Sequence, residues 1–390
     1  MSTFFRLVLL KALLLAALPA SAQSQAIARH ARQAPDSLRH NLPQLVDYLL
    51  EPAGNEREKA YSLYAWVVHN ITYDGEAGSQ GRRINQSLSD ILRRGSGTCF
   101  DYSLLYMALC RQAGLLCMPV SGYARQGLGA LEVPPVPDHS WNAVFLDGQW
   151  HLLDATWGAA PGQDALMAEY STGYFLTPPR LFLLNHLPAM PMWQLLPCPV
   201  SPEEYSRPAE TLLPLADERG PCFDFADTIR AFLRLPPEEQ RLAEAEAAYR
   251  FHPTAGNRAA WAQAITDYAV GLSEQAERLL QQDSLKAFLQ RQQEAIFRCR
   301  QARALAPPLP WQTELFAGLL ANRAVALNQL SDEVDSAGEE LALLREARKC
   351  LEEAQEALRT LPEDNYYRQY AEQQCAAYLE AVMHNIGRLE

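Results

Sequence analysis

Gly95-Ser96-Gly97-Thr98-Cys99 closes a glycine-rich turn and opens onto Phe100 to Ala113, where apolar residues recur at helical spacing. The stretch predicts a helix that begins at the cysteine. Unpaired N–H groups and the positive end of the helix dipole gather at such a start, and both stabilise a thiolate. Cys99 is therefore a candidate nucleophile, and His139 and Asp154 follow it in the chain. Nucleophile, base and orienting carboxylate are the three parts that covalent acyl transfer requires.

Two strand-like runs carry the second and third of these groups: His139-Ser-Trp-Asn-Ala-Val-Phe-Leu146, and Gln149-Trp-His-Leu-Leu-Asp-Ala-Thr-Trp157. Asp147-Gly148 between them is a two-residue hairpin signal, because a type I′ turn needs positive φ at both central positions. The turn pairs Leu146 with Gln149, which sets Trp141 opposite Asp154 and His139 opposite Thr156. His139 and Asp154 then become diagonal neighbours on one face, about 7 to 8 Å apart at Cα and within reach of a hydrogen bond. A slip of one residue would put them on opposite faces. In this register His151 and Asn142 point away from Asp154. Trp66, Trp141 and Trp157 read as packing aromatics, with Trp141 placed to shield the His139–Asp154 bond from water. His186 reads as a packing residue near the end of the domain.

With these residues in view, Gly97-Thr98-Cys99-Phe100-Asp101-Tyr102, His139-Ser140-Trp141-Asn142 and Trp150 through Gly158 resemble the core of the transglutaminase-like superfamily. Ala65-Trp66 through Tyr73-Asp74, Gly114 to Gly122, Tyr174 through Pro178, and Trp193 through Leu196 narrow the resemblance to the kyphoscoliosis-peptidase branch, over about residues 40 to 205. The resemblance implies an α+β, papain-like catalytic domain. In it a helix carrying the cysteine packs on an antiparallel sheet, and Cys99, His139 and Asp154 inherit the catalytic roles. Substrate does not transfer with the fold.

Arg6 and Lys11, the apolar run from Leu7 to Leu18 and Ala20-Ser21-Ala22 before Gln23 read as a secretory signal peptide over residues 1–22. The expected product is exported, periplasmic or secreted, with no membrane span after cleavage. The formal net charge of −12 becomes two units more negative when the leader leaves, which argues against nucleic acid as a partner. A reactive Cys99 leaves seven of the eight cysteines, an odd number, so at least one more stays unpaired. Cys110 and Cys117 flank a helix end and read as either a local disulfide or buried thiols. No CxxC pair or His/Cys cluster suggests zinc.

Residues 36–50 and 56–70 read as helices, the second capped by Asn55 with Glu58 three residues on. Met118 to Ala124 reads as a strand. The Pro-rich stretch from Arg125 to Asp138 reads as a lid, a substrate-contact loop or an exposed crossover. Residues 23–205 thus form the catalytic domain and 206–222 a linker or wrapping segment. From 223 to 390 the chain is rich in Ala, Leu, Glu, Gln and Arg, with Leu315, Leu319, Ala326 and Leu330, then Leu351, Ala354 and Leu358, at helical spacing. Pro253, Pro307-Pro308 and Pro362 separate its helices. This half is an all-α domain that loosely resembles a tetratricopeptide helix pair.

The sequence therefore predicts a thiol enzyme that acts on a protein or peptide amide through a thioester and needs no cofactor. Water as acceptor makes it a protease or amidase, and a lysine amine makes it a transglutaminase; hydrolysis is weakly favoured. The contrasting expectation is a secreted scaffold whose helical domain binds a protein partner.

Overall fold

Thr98 and Asp101 start the helix that the glycine turn announces. The Asp101 carboxylate accepts from the Thr98 backbone N–H at 2.8 Å and from the Thr98 hydroxyl at 3.0 Å, so Cys99 becomes the first residue of a helix spanning Cys99–Gln112. Just upstream, Gly95 takes φ +63° as the left-handed cap of the helix Leu88–Arg94, a conformation that glycine adopts without steric cost. The coordinates are a computed structural model that describes residues 22–79, 87–127, 129–159 and 174–390. The signal peptide read at residues 1–22 lies almost wholly outside them.

Six strands among the described residues place the cysteine helix. β1 (Thr72–Tyr73) and β2 (Ser96–Gly97) form a short parallel pair. β3 (Leu116–Ala124), β4 (His139–Leu146), β5 (Gln149–Leu153) and β6 (His186–Pro188) form an antiparallel sheet in the order β5-β4-β3-β6. The expected hairpin is present. Leu146 pairs with Gln149, and Asp147 and Gly148 take φ of +50° and +81°. The strand predicted to run to Trp157 instead ends at Leu153, because Asp154 caps a helical turn, Ala155–Gly158. The ladder therefore stops at Asn142 and Leu153, and His139 has no partner in Thr156.

Packing on the sheet follows from alternation along β4. Ser140 and Asn142 bond to Ser103 on the cysteine helix. Val144 and Leu146 join a buried core with Tyr102, Leu105, Tyr106 and Leu109 of that helix. Full burial of each such leucine or valine contributes about 1.5 to 3 kcal/mol. The helices Leu42–Leu50 and Glu56–Asn70 complete this core. Asn55 caps the second as expected, accepting from the Glu58 N–H at 2.9 Å.

The connection from Arg125 to Asp138 is held at several points. The Arg125 guanidinium is buried and donates to the Gly129 and Tyr205 carbonyls, and the Leu131 N–H donates to the Ser206 carbonyl at 2.9 Å. Residues 206–222 include the helix Leu212–Glu218 and are tied back to the residues before them by Arg180–Asp217, Arg219–Glu204 and a Cys198–Cys222 disulfide. That disulfide is absent from the sequence reading. Cys110 and Cys117, read as a bridge or buried thiols, are buried thiols.

Two compact units result, one ending at Arg230 and the other Ala231–Glu390. The second is largely helical, with long helices at Ala255–Leu280, Leu285–Leu305, Pro310–Ser331, Ala337–Leu358 and Tyr366–Leu389. Its core contains Leu319, Ala326, Leu330, Leu351, Ala354 and Leu358, with Leu315 packed against it. No helix among the described residues is long and apolar enough to cross a membrane.

Two stability tests follow. The Cys198–Cys222 bridge joins positions 24 residues apart, so Cys198→Ser is expected to cost about 3.5 kcal/mol by the chain-entropy relation. On β3, a Cβ at Gly122 would overlap the Leu187 carbonyl oxygen and the Trp141 ring, so Gly122→Ala is expected to cost about 1 to 3 kcal/mol. Urea unfolding of each variant measures both.

Candidate active site

Asp154 ends β5 and begins the next helical turn, and its side chain serves both positions. One oxygen, Oδ1, accepts from the N–H groups of Thr156 at 2.7 Å and Trp157 at 3.0 Å. The other, Oδ2, lies 2.7 Å from His139 Nε2 and 3.0 Å from His186 Nε2. Its own N–H donates to the Tyr174 carbonyl at 2.9 Å. The side chain has no solvent exposure. Burial alone would make this carboxyl harder to ionise, yet the two histidines hold it well below the usual carboxylate range.

His139 occupies the first position of β4 and is buried. Burial by itself lowers an imidazole pKa; here the Asp154 charge, its hydrogen bond and a hydrogen bond to the Cys99 side chain outweigh burial and raise it to about 10. Since Nε2 faces Asp154, Nδ1 is the ring atom left for Cys99. The structure thus brings His139 and Asp154 together, and Cys99 enters the electrostatics of His139 as a neighbour. Cys99 is partly exposed.

Aromatic rings enclose the pair. Trp141 lies 5.8 Å from the His139 ring and Trp157 5.5 Å, measured between centroids. Trp141 is 1% exposed and packs against the His139 ring. His151 is remote, contacting Arg57 at 3.2 Å, and Asn142 faces Ser103.

Two residues of the site were not singled out for chemistry from the sequence. His186, read as a packing residue, bonds to the same Asp154 oxygen as His139. Nothing local marks it, for it lies 32 residues beyond Asp154 on a three-residue strand. Tyr73 is the other. Bonds from Thr72 N–H to Gly95 O and from Asp74 N–H to Gly97 O set β1 on β2, so Tyr73 lies opposite Gly97, two residues before Cys99. Burial, then the neighbouring Cys99, Asp154 and Asp74, raise the Tyr73 phenol, which keeps its O–H available as a donor. Among the described residues, the trio His139, Asp154 and His186 is also the group of ligand-type side chains that converges, with its atoms within 4.8 Å of one another. Both imidazoles already point Nε2 at one carboxylate oxygen, so the convergence is that of a hydrogen-bond cluster.

A helix that starts at a cysteine, packed on an antiparallel sheet whose histidine pairs with an aspartate just past a strand end, is the arrangement of the transglutaminase-like class of fold. The comparisons agree. The chain carries a domain of the transglutaminase-like superfamily, matched over residues 43–155. The kyphoscoliosis peptidase of Mus musculus is 36% identical over 175 residues, covering 43% of this chain and 26% of that protein. That of Homo sapiens is 37% identical over 171 residues, covering 42% and 26%. Hillarin of Drosophila melanogaster is 30% identical over 182 residues, covering 41% and 21%. The chain thus spans about a quarter of the length of these relatives.

The electrostatics can be tested directly. In Asp154→Asn the charge that does most to raise His139 is gone while its burial and its Cys99 neighbour remain, so the His139 pKa is expected to fall well below about 10. NMR titration of the His139 ring checks this; a value still near 10 would refute the assignment. The raised value also fixes a sign. Stability due to His139 is complete below about pH 6.5 and is lost as pH rises through about 10.

Proposed function

We propose that this chain is an exported cysteine enzyme that cleaves an amide of a protein or peptide through a thioester. The observation that carries the reading is the single imidazole of His139, bonded through one side to Asp154 and through the other to Cys99 at a helix start. The Cys99 thiolate attacks the carbonyl carbon. As the tetrahedral species collapses, the C–N bond breaks, His139 gives its Nδ1 proton to the leaving amine, and a thioester remains. Water then attacks the thioester carbon while neutral His139 takes a proton from it; the C–S bond breaks, and thiolate and imidazolium return. The Cys99 backbone N–H and the Tyr73 hydroxyl are the proposed donors to the oxyanion. Protein groups and solvent balance every step.

Hydrolysis is favoured over amine transfer because the relatives at 36% and 37% identity bear the name peptidase. Export is supported by the leader-like residues 1–22 and by the Cys198–Cys222 bridge, since disulfides persist in oxidising compartments. The helical half is proposed to recognise a protein partner.

Alkylation tests the nucleophile. Iodoacetamide is expected to label Cys99 selectively at neutral pH, and His139→Ala to suppress it; slow, equal labelling of several cysteines would leave only the scaffold reading. With a glutamine-containing protein and a fluorescent amine, new peptide termini without dye are expected, whereas dye incorporation would establish transfer. Tyr73→Phe is expected to slow acylation of Cys99 about 100-fold; an unchanged rate removes Tyr73 from the oxyanion site.

A further inference from the structure

His186 stands between two oxygens. Its Nε2 lies 3.0 Å from Asp154 Oδ2 and its Nδ1 2.6 Å from Asn185 Oδ1. The Asn185 amide donates its own N–H to the Tyr174 hydroxyl at 2.8 Å, which turns the amide oxygen toward the imidazole. An amide oxygen and an ionised carboxylate only accept, so this arrangement calls for hydrogen on both ring nitrogens of His186.

The surroundings suit a cation. His186 has no exposure. Phe182 stacks on it with centroids 4.1 Å apart and planes 22° from parallel, and Trp157, Trp141 and Tyr174 pack at 4.7, 4.9 and 5.7 Å. Aromatic faces attract a desolvated cation. The titratable groups that face it include Asp154, His139 at 5.5 Å between centroids, and Tyr174.

We propose that His186 is a positioning residue, a lasting imidazolium that keeps Asp154 paired and oriented at the stage when His139 is neutral. The role rests on the Cys99–His139–Asp154 reading given above. In the resting site a thiolate, two imidazolium rings and one carboxylate sum to zero. In the acyl-enzyme the thiolate has become a thioester and His139 has lost its proton, so Asp154 and His186 still sum to zero. Without the charge on His186, Asp154 would be buried alone at that stage. His139 would then hold its proton more tightly, and less of it would be neutral and able to take a proton from the incoming water at pH 7.

The test uses p-nitrophenyl acetate, which acylates a thiolate with loss of p-nitrophenolate, and follows decay of the Cys99 acetyl adduct by intact mass against pH. His186→Gln keeps a donor toward Asp154 but no charge. Deacylation needs neutral His139, so its rate climbs with pH through the His139 pKa. In the variant that climb is expected to move up by at least about one pH unit, making decay about 10-fold slower at pH 7. An unmoved profile, or a loss uniform across pH, overturns the role. Neutron diffraction on the wild-type chain at pH 7 reads the charge without any variant: deuterium on both His186 nitrogens supports the proposal, and deuterium on one overturns it. Failure of the wild type to form any Cys99 adduct would sink the nucleophile reading, and the positioning role with it, while the neutron result still decides the charge on His186.

Discussion

The Asp154 carboxylate accepts four hydrogen bonds, two on each oxygen. A buried carboxylate is tenable only when its acceptor positions are filled and its charge is paired. That requirement constrains much of the first unit. The bonds to Oδ1 need a helical turn that starts at Asp154 itself, which is why β5 stops at Leu153. The bonds to Oδ2 need β4 and β6 to begin at the same end of the sheet, so that His139 and His186 converge. Capping the helical turn and pairing with the two histidines are thus done by different oxygens of one side chain.

Convergence of the two histidines also depends on the strand between their own. β4 and β6 flank β3 and are two strand spacings apart, roughly 9 to 10 Å, yet the imidazole centroids are 5.5 Å apart. The side chains lean across β3, and His139 pairs there with Gly122. A side chain at that position would meet the Trp141 ring and the Leu187 carbonyl. The missing Cβ lets Trp141 lie within ring contact of both His139 and His186. Glycine at position 122 is thus a packing requirement of the site.

Local signals were legible where short-range geometry decides. The glycine turn before Cys99, the Asn55 cap, the Asp147-Gly148 turn and the pairing of Leu146 with Gln149 could all be read from neighbours a few residues apart. Counting outward from that turn brought His139 and Asp154 to one place. The count held as far as Asn142 and Leu153 and failed beyond, because the bonds from Asp154 to Thr156 and Trp157 end the strand. The periodicity of the second half likewise marked its core, since helical burial repeats every three to four residues.

By itself, the sequence determined the candidate residues of the site, the start of the helix at Cys99 and the register of the hairpin, because each depends on residues close in the chain. Only the tertiary structure decided that Cys198 meets Cys222, that Tyr73 pairs with Gly97, two residues before Cys99, and that His186 shares the Asp154 oxygen with His139. These pairings join segments about 24 to 32 residues apart that no periodicity links. They exist because sheet order and core packing bring distant segments together, and a buried carboxylate then requires every donor within reach.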